Sequence, residues 1–158
     1  DLMLSLAGPV EEVRGYTATT PLHNMESEDY AAAAVHFANG AFGTIEATTA
    51  AYPGFPDRIE ITGTRGSAVL AGTALDVAYL DGSRRQITPP GNAAGGAGAD
   101  PMAFTHEWHR AVIADFLDAL DEGRPPRVSG REALVVHRLI DALVEAGRTG
   151  ATVRVAAP

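Results

Sequence analysis

The chain contains no cysteine, which excludes disulfides and thiolate chemistry and leaves redox compartment unmarked. Aromatic residues are scarce, at 6%, so any core or interface has to be assembled largely from small and β-branched groups. Positive charge is also short. Twelve Lys and Arg face twenty Asp and Glu, giving a net charge of −8. That balance argues against nucleic acid and anionic membranes, which both require clustered cations. No apolar run approaches the ~20 residues a membrane helix needs, and no signal peptide is visible, so a cytoplasmic location is expected. There is no G-x-G-x-x-G, the glycine fingerprint of a dinucleotide site. Initiator Met is lacking as well: Asp1–Gly8 reads as the last two turns of a truncated apolar helix, with Gly8 after its end and Pro9 beyond.

What is present suits one domain of 158 residues, long enough to bury a core, with 46% hydrophobic and 20% charged residues. Residues 10–88 read as sheet hairpins. Val10–Thr20 predicts a strand, followed by a polar loop through Pro21, His23 and Asn24. Asp29–Ala38 and Ala41–Ala51 flank Asn39-Gly40, a pair that tolerates the positive φ of a tight turn. Arg58–Thr62 and Ser67–Leu70 flank Gly63–Gly66, and Leu75–Leu80 and Arg84–Thr88 flank Asp81-Gly82-Ser83. Residues 89–100 read as a mobile Pro/Gly/Ala loop, and 101–148 as two helices. In the first, opened by Asp100-Pro101, Phe104, Trp108, Val112, Phe116 and Leu120 recur every fourth residue, which predicts a buried stripe. Gly123-Arg124-Pro125-Pro126 ends it. Ser129-Gly130-Arg131-Glu132 is a capping box for the second helix, whose stripe includes Leu134, Val135, Leu139, Leu143 and Val144. Residues 151–155 predict a final strand. The expected class is α+β: a mostly antiparallel open sheet with two long helices on one face. Its other face, with Ala32, Ala34, His36, Thr44, Glu46 and Thr48, is small and mixed.

Four features invite a chemical reading. His106-Glu107-Trp108-His109 places its imidazoles three apart rather than at i and i+4, so a solvated helix face fits better than zinc. Gly95-Gly96-Ala97-Gly98 follows a Pro/Ala loop rather than a strand, unlike a phosphate cradle. His23, Glu28 and Asp29 lie together at the mouth of the first hairpin. They form either an acid/base set or ordinary loop and strand-entry residues. Tyr52-Pro53-Gly54-Phe55-Pro56-Asp57-Arg58 sets two aromatics and a guanidinium beside a strand end. That composition suits either a substrate rim or a connector.

Taken in order, several segments resemble one family pattern. Asp1–Val10 looks like the close of a helix reading H-x-x-D-L-x-x-x-L-x-G. Glu28-Asp29 with Asn39-Gly40-Ala41-Phe42-Gly43-Thr44-Ile45 is similar to its second-strand hairpin. Ile59-Glu60-Ile61-Thr62-Gly63-Thr64-Arg65-Gly66-Ser67 matches its I-x-I-x-G-T-x-G-S turn. Asp115–Leu120, Glu122–Pro126 and Val128-Ser129-Gly130 match its D-F-L-x-A-L-x-E-G-R-x-P-x-V-S-G segment. The resemblance is to the C-terminal domain of Gfo/Idh/MocA oxidoreductases.

That resemblance implies a dihydrodipicolinate-reductase-like sheet domain and an enzyme moving hydride between NAD or NADP and a sugar, polyol or similar small hydroxy compound. It implies a Rossmann domain upstream of Asp1 carrying the catalytic lysine and histidine, so no catalytic, cofactor-binding or metal residue is expected in this chain. The fragment alone is expected to be inactive and to bind no cofactor. Tyr52, Phe55, Arg58 and His23 are the substrate-rim candidates. The expected partners are the missing Rossmann domain and a second copy through the sheet. The alternative is a stand-alone sheet module for ligand binding or dimerisation without catalysis.

Overall fold

The computed structural model describes residues 1–52, 54–89 and 106–156. The candidate phosphate loop Gly95–Gly98, the helix start at Asp100-Pro101, Phe104 and Pro53 lie outside them. The chain divides into two compact units, residues 1–50 with 106–158, and residues 51–105.

The first unit holds α1 (Leu2–Ala7), β1 (Val10–Ala18), β2 (Tyr30–Phe37), β3 (Phe42–Thr48), α2 (Glu107–Glu122), α3 (Gly130–Thr149) and β8 (Val153–Arg154). Its antiparallel sheet runs β3-β2-β1-β8. Gly40, at φ 86°, lets the β2–β3 turn close, and its amide donates to the Phe37 carbonyl at 2.9 Å. Alternation then sorts the side chains. Val13, Ala33, Val35 and Phe37 are buried on one face, where Ile45 packs beside them. Arg14, Tyr16, Ala34, His36, Phe42, Thr44, Glu46 and Thr48 are exposed on the other.

The buried face is covered by α3, through Leu139, Ala142, Leu143 and Ala146, and by α1, through Met3, Leu4 and Ala7. The approach of α3 to β1 is close. A Cβ on Gly147 would lie 2.9 Å from the Thr17 amide nitrogen and closer still to its hydroxyl. Ser129 caps α3 with both halves of the capping box in place. Helix α2 departs from expectation. Trp108, Val112, Ile113, Phe116, Leu117 and Leu120 are all at least half exposed, and only Ala119 is buried. The helices that pack against the buried sheet face are the short α1 and the long α3, within an α+β fold.

The second unit is a meander of β4 (Arg58–Gly63), β5 (Gly66–Ala71), β6 (Ala74–Tyr79) and β7 (Arg84–Ile87), in that spatial order. Every pairing is antiparallel. Ile59, Ile61, Leu70, Leu75, Val77 and Ile87 share one face by register. None of this unit's described residues is buried.

Candidate functional site

The loop between β1 and β2 has a polar centre. Asp29 is the one buried charged residue among those described, and its side chain is fully shielded. Burial of a carboxylate is tolerated only when its oxygens are paired. Here Oδ1 accepts from the Thr20 amide at 2.7 Å, and Oδ2 accepts from the Thr20 hydroxyl at 2.6 Å and from His23 Nδ1 at 2.8 Å. The Thr20 hydroxyl, with its amide and His23 behind it, holds the Asp29 carboxyl below the ordinary carboxylate range against the opposing effect of burial. The backbone of Asp29 is fixed as well. Its amide donates to Ala18, and its carbonyl accepts from the Thr48 hydroxyl and the Thr49 amide. The Thr19 hydroxyl closes the loop onto the Ser27 carbonyl at 2.8 Å.

Of the proposed acid/base set, the structure therefore joins His23 and Asp29 and leaves the half-buried Glu28 outside the cluster. Because an ionised carboxylate only accepts, the ring proton facing Asp29 sits on His23 Nδ1. The His23 side chain remains 39% exposed. Thr20, which contributes two of the three bonds, carries no chemical signature in the sequence.

The aromatic loop is open. Tyr52 and Phe55 are 93% and 71% exposed, and neither ring is packed into a core. Arg58 begins β4, and its Nε donates to Glu60 Oε1 at 2.6 Å, so its charge is already matched on the strand. This loop belongs to the second unit and His23 to the first.

The remaining motifs resolve into structural roles. Asp115 accepts from the Arg127 amide at 2.7 Å and pairs with Arg124 at 3.0 Å, which lowers its pKa through the Arg127 amide first and the guanidinium next. The D-F-L…E-G-R segment is thus a clamp holding the turn after α2. Beside it, Val112, Phe116, Pro126 and Val128 line an open cavity of about 390 Å³. His106 pairs with Glu107 at 3.1 Å, and His36 faces Glu11 at 3.9 Å on the exposed sheet face. Among the described residues no three His, Asp or Glu side chains gather as a metal site. Every described strand pair is antiparallel. The described residues thus lack the parallel strands whose carboxyl ends form a dinucleotide crevice. No described helix is long and apolar enough to cross a membrane.

Comparison with known proteins places these features. A family model described as the oxidoreductase family C-terminal alpha/beta domain (Gfo/Idh/MocA) matches residues 1–155. No curated protein matches the chain. Among solved structures, levoglucosan dehydrogenase with NADH and L-sorbose is 27% identical, with TM-score 0.77, over 100% of this chain and 48% of that one. The WlbA dehydrogenase from Bordetella pertussis, with NADH and UDP-GlcNAcA, is 26% identical, with TM-score 0.75, over 99% and 42%. An oxidoreductase domain protein from Kribbella flavida shares the fold at 24% identity and TM-score 0.78, over 99% and 48%. The chain spans less than half the length of these relatives.

Proposed function

The chain belongs to the Gfo/Idh/MocA oxidoreductase family as its C-terminal alpha/beta domain, and on that premise we propose that it is the substrate-side and oligomerisation domain of an NAD(P)-dependent dehydrogenase acting on a sugar, polyol or similar hydroxy compound. The observation that carries this reading is the family match along nearly the whole chain. Solved relatives that hold NADH with L-sorbose or with UDP-GlcNAcA support the substrate class.

In this reading the hydride passes between NAD(P), held by a Rossmann domain that this chain does not supply, and a hydroxyl-bearing carbon of the substrate. The residues of this chain bind and orient. Tyr52 and Phe55 offer flat faces to the C–H side of a sugar ring and Arg58 a polar contact to its hydroxyls, while His23, in the other unit, is a separate candidate contact to a substrate hydroxyl. A second copy docks on the exposed sheet face, where the small Ala32 and Ala34 permit close approach between flanking Tyr16 and Phe42. Alone, the chain binds substrate weakly and turns nothing over.

The test is complementation. The chain is assayed for NAD(P)H formation with a panel of sugars and polyols, alone and joined to a family Rossmann domain. Turnover only in the joined protein is the expected result. Turnover by the chain alone, or none in a folded joined protein across the panel, contradicts the reading. Sedimentation showing a strict monomer at high concentration would remove the oligomerisation part.

A further inference from the structure

The Asp29–His23 pair is built more rigidly than a loop connector requires. The Asp29 side chain is fully shielded, the described bonds of its carboxylate all come from Thr20 and His23, and its backbone is tied to β1 and β3. Holding the loop shut needs only Thr20, whose amide and hydroxyl already engage both carboxylate oxygens. The third bond fixes an imidazole instead. It commits Nδ1 as a donor, so the neutral ring keeps a lone pair on Nε2. Among the described residues Nε2 has no partner, and the ring is 39% exposed. Exposed Leu22 and Met25 stand on the same loop.

We propose that His23 Nε2, oriented through Nδ1 by the buried Asp29, is a hydroxyl-accepting contact for a polyol or sugar, with Asp29 as its positioning residue. The chemistry selects the ligand class. A ring locked with its proton on Nδ1 accepts from a hydroxyl and has no hydrogen at Nε2 to offer a carboxylate or phosphate. Leu22 and Met25 give the apolar surface that the C–H face of such a ligand takes. The ligand class rests on the dehydrogenase reading above; the locked tautomer does not.

The experiment is nitrogen-15 NMR of the histidine rings in this chain at about pH 8, above the ordinary histidine range, with L-sorbose as the probe and sulfate as the control. His23 is assigned as the ring system absent from His23→Gln. The expected spectrum has His23 protonated at Nδ1, with an Nε2 resonance that moves saturably with L-sorbose and not with sulfate. In Asp29→Asn the ring should lose its fixed tautomer and sorbose affinity should fall about tenfold or more. In His23→Gln, which leaves the Thr20–Asp29 bonds in place, the backbone spectrum should be retained and the sorbose-dependent shifts of the Thr20–Asp29 amides lost. Should Asp29→Asn fail to fold, the wild-type spectrum and His23→Gln decide the matter. A ring protonated at Nε2, or an Nε2 indifferent to sorbose, overturns the proposal. Turnover in the joined enzyme with an indifferent Nε2 sinks this inference alone. A responsive Nε2 without turnover sinks the dehydrogenase reading alone.

Discussion

Both sheets are four-stranded and antiparallel, yet they differ in what stands on them. The first carries Val13, Val35 and Phe37 beneath α1 and α3, and these residues are almost sealed from water. The second sorts Ile59, Leu70, Leu75, Val77 and Ile87 to one side just as cleanly, but no described residue in it is buried. Hydrogen-bonded pairing and alternation therefore suffice to draw a strand, whereas a core needs a second layer. The stability of the chain should be concentrated accordingly.

The two sheets should differ most at Leu139, in the core of the first unit. Leu139→Ala removes the central contact of α3 with the first sheet and should cost about 2–5 kcal/mol in urea unfolding. Leu75→Ala in the second sheet should cost markedly less. Equal losses would mean that the second sheet is as well packed as the first. Next comes Gly147, where α3 touches β1. Gly147→Val forces side-chain atoms against the Thr17 backbone and should cost about 1–3 kcal/mol by overpacking, visible as a lowered thermal midpoint. Ser129→Ala deletes the capping box of α3 and should lose about 1 kcal/mol, with circular dichroism reporting the fraying of that helix.

The effect expected to be smallest near neutrality is confined to acid. The folded pKa of Asp29 lies below its unfolded value. Its contribution is therefore fully present above about pH 4, the ordinary aspartate range, and is lost as pH falls through the folded pKa. Between pH 4 and that lower value the wild type should lose stability faster than Asp29→Asn in parallel urea titrations. Identical slopes would show that Asp29 is not held as the structure places it.

Much of the fold was legible because local chemistry decided it. Asn39-Gly40 and Asp81-Gly82-Ser83 specify turns, Ser129 and Glu132 specify a helix start, and the 3.6 and 2 periods mark faces. The hairpin between β5 and β6 was harder to read, since Gly72-Thr73 is flanked on both sides by apolar residues. Periodicity also cannot name what covers a face. The α2 stripe reads as well as that of α3, yet the structure leaves the first exposed and buries the second against the sheet. The His23–Asp29 pair was visible as two titratable residues near a strand mouth. Thr20 was not, because its role comes from the loop returning on itself rather than from its own type. Tyr52 and Phe55 stand out in the sequence by composition alone, and the structure adds only their exposure.

The proposed role of this chain is the substrate side of a dehydrogenase, with the nicotinamide cofactor held elsewhere in the protein. Calorimetric titration of the purified chain with NADH tests it most directly. No measurable heat of binding is expected at ligand concentrations that saturate ordinary dehydrogenases. Binding with micromolar affinity would contradict it.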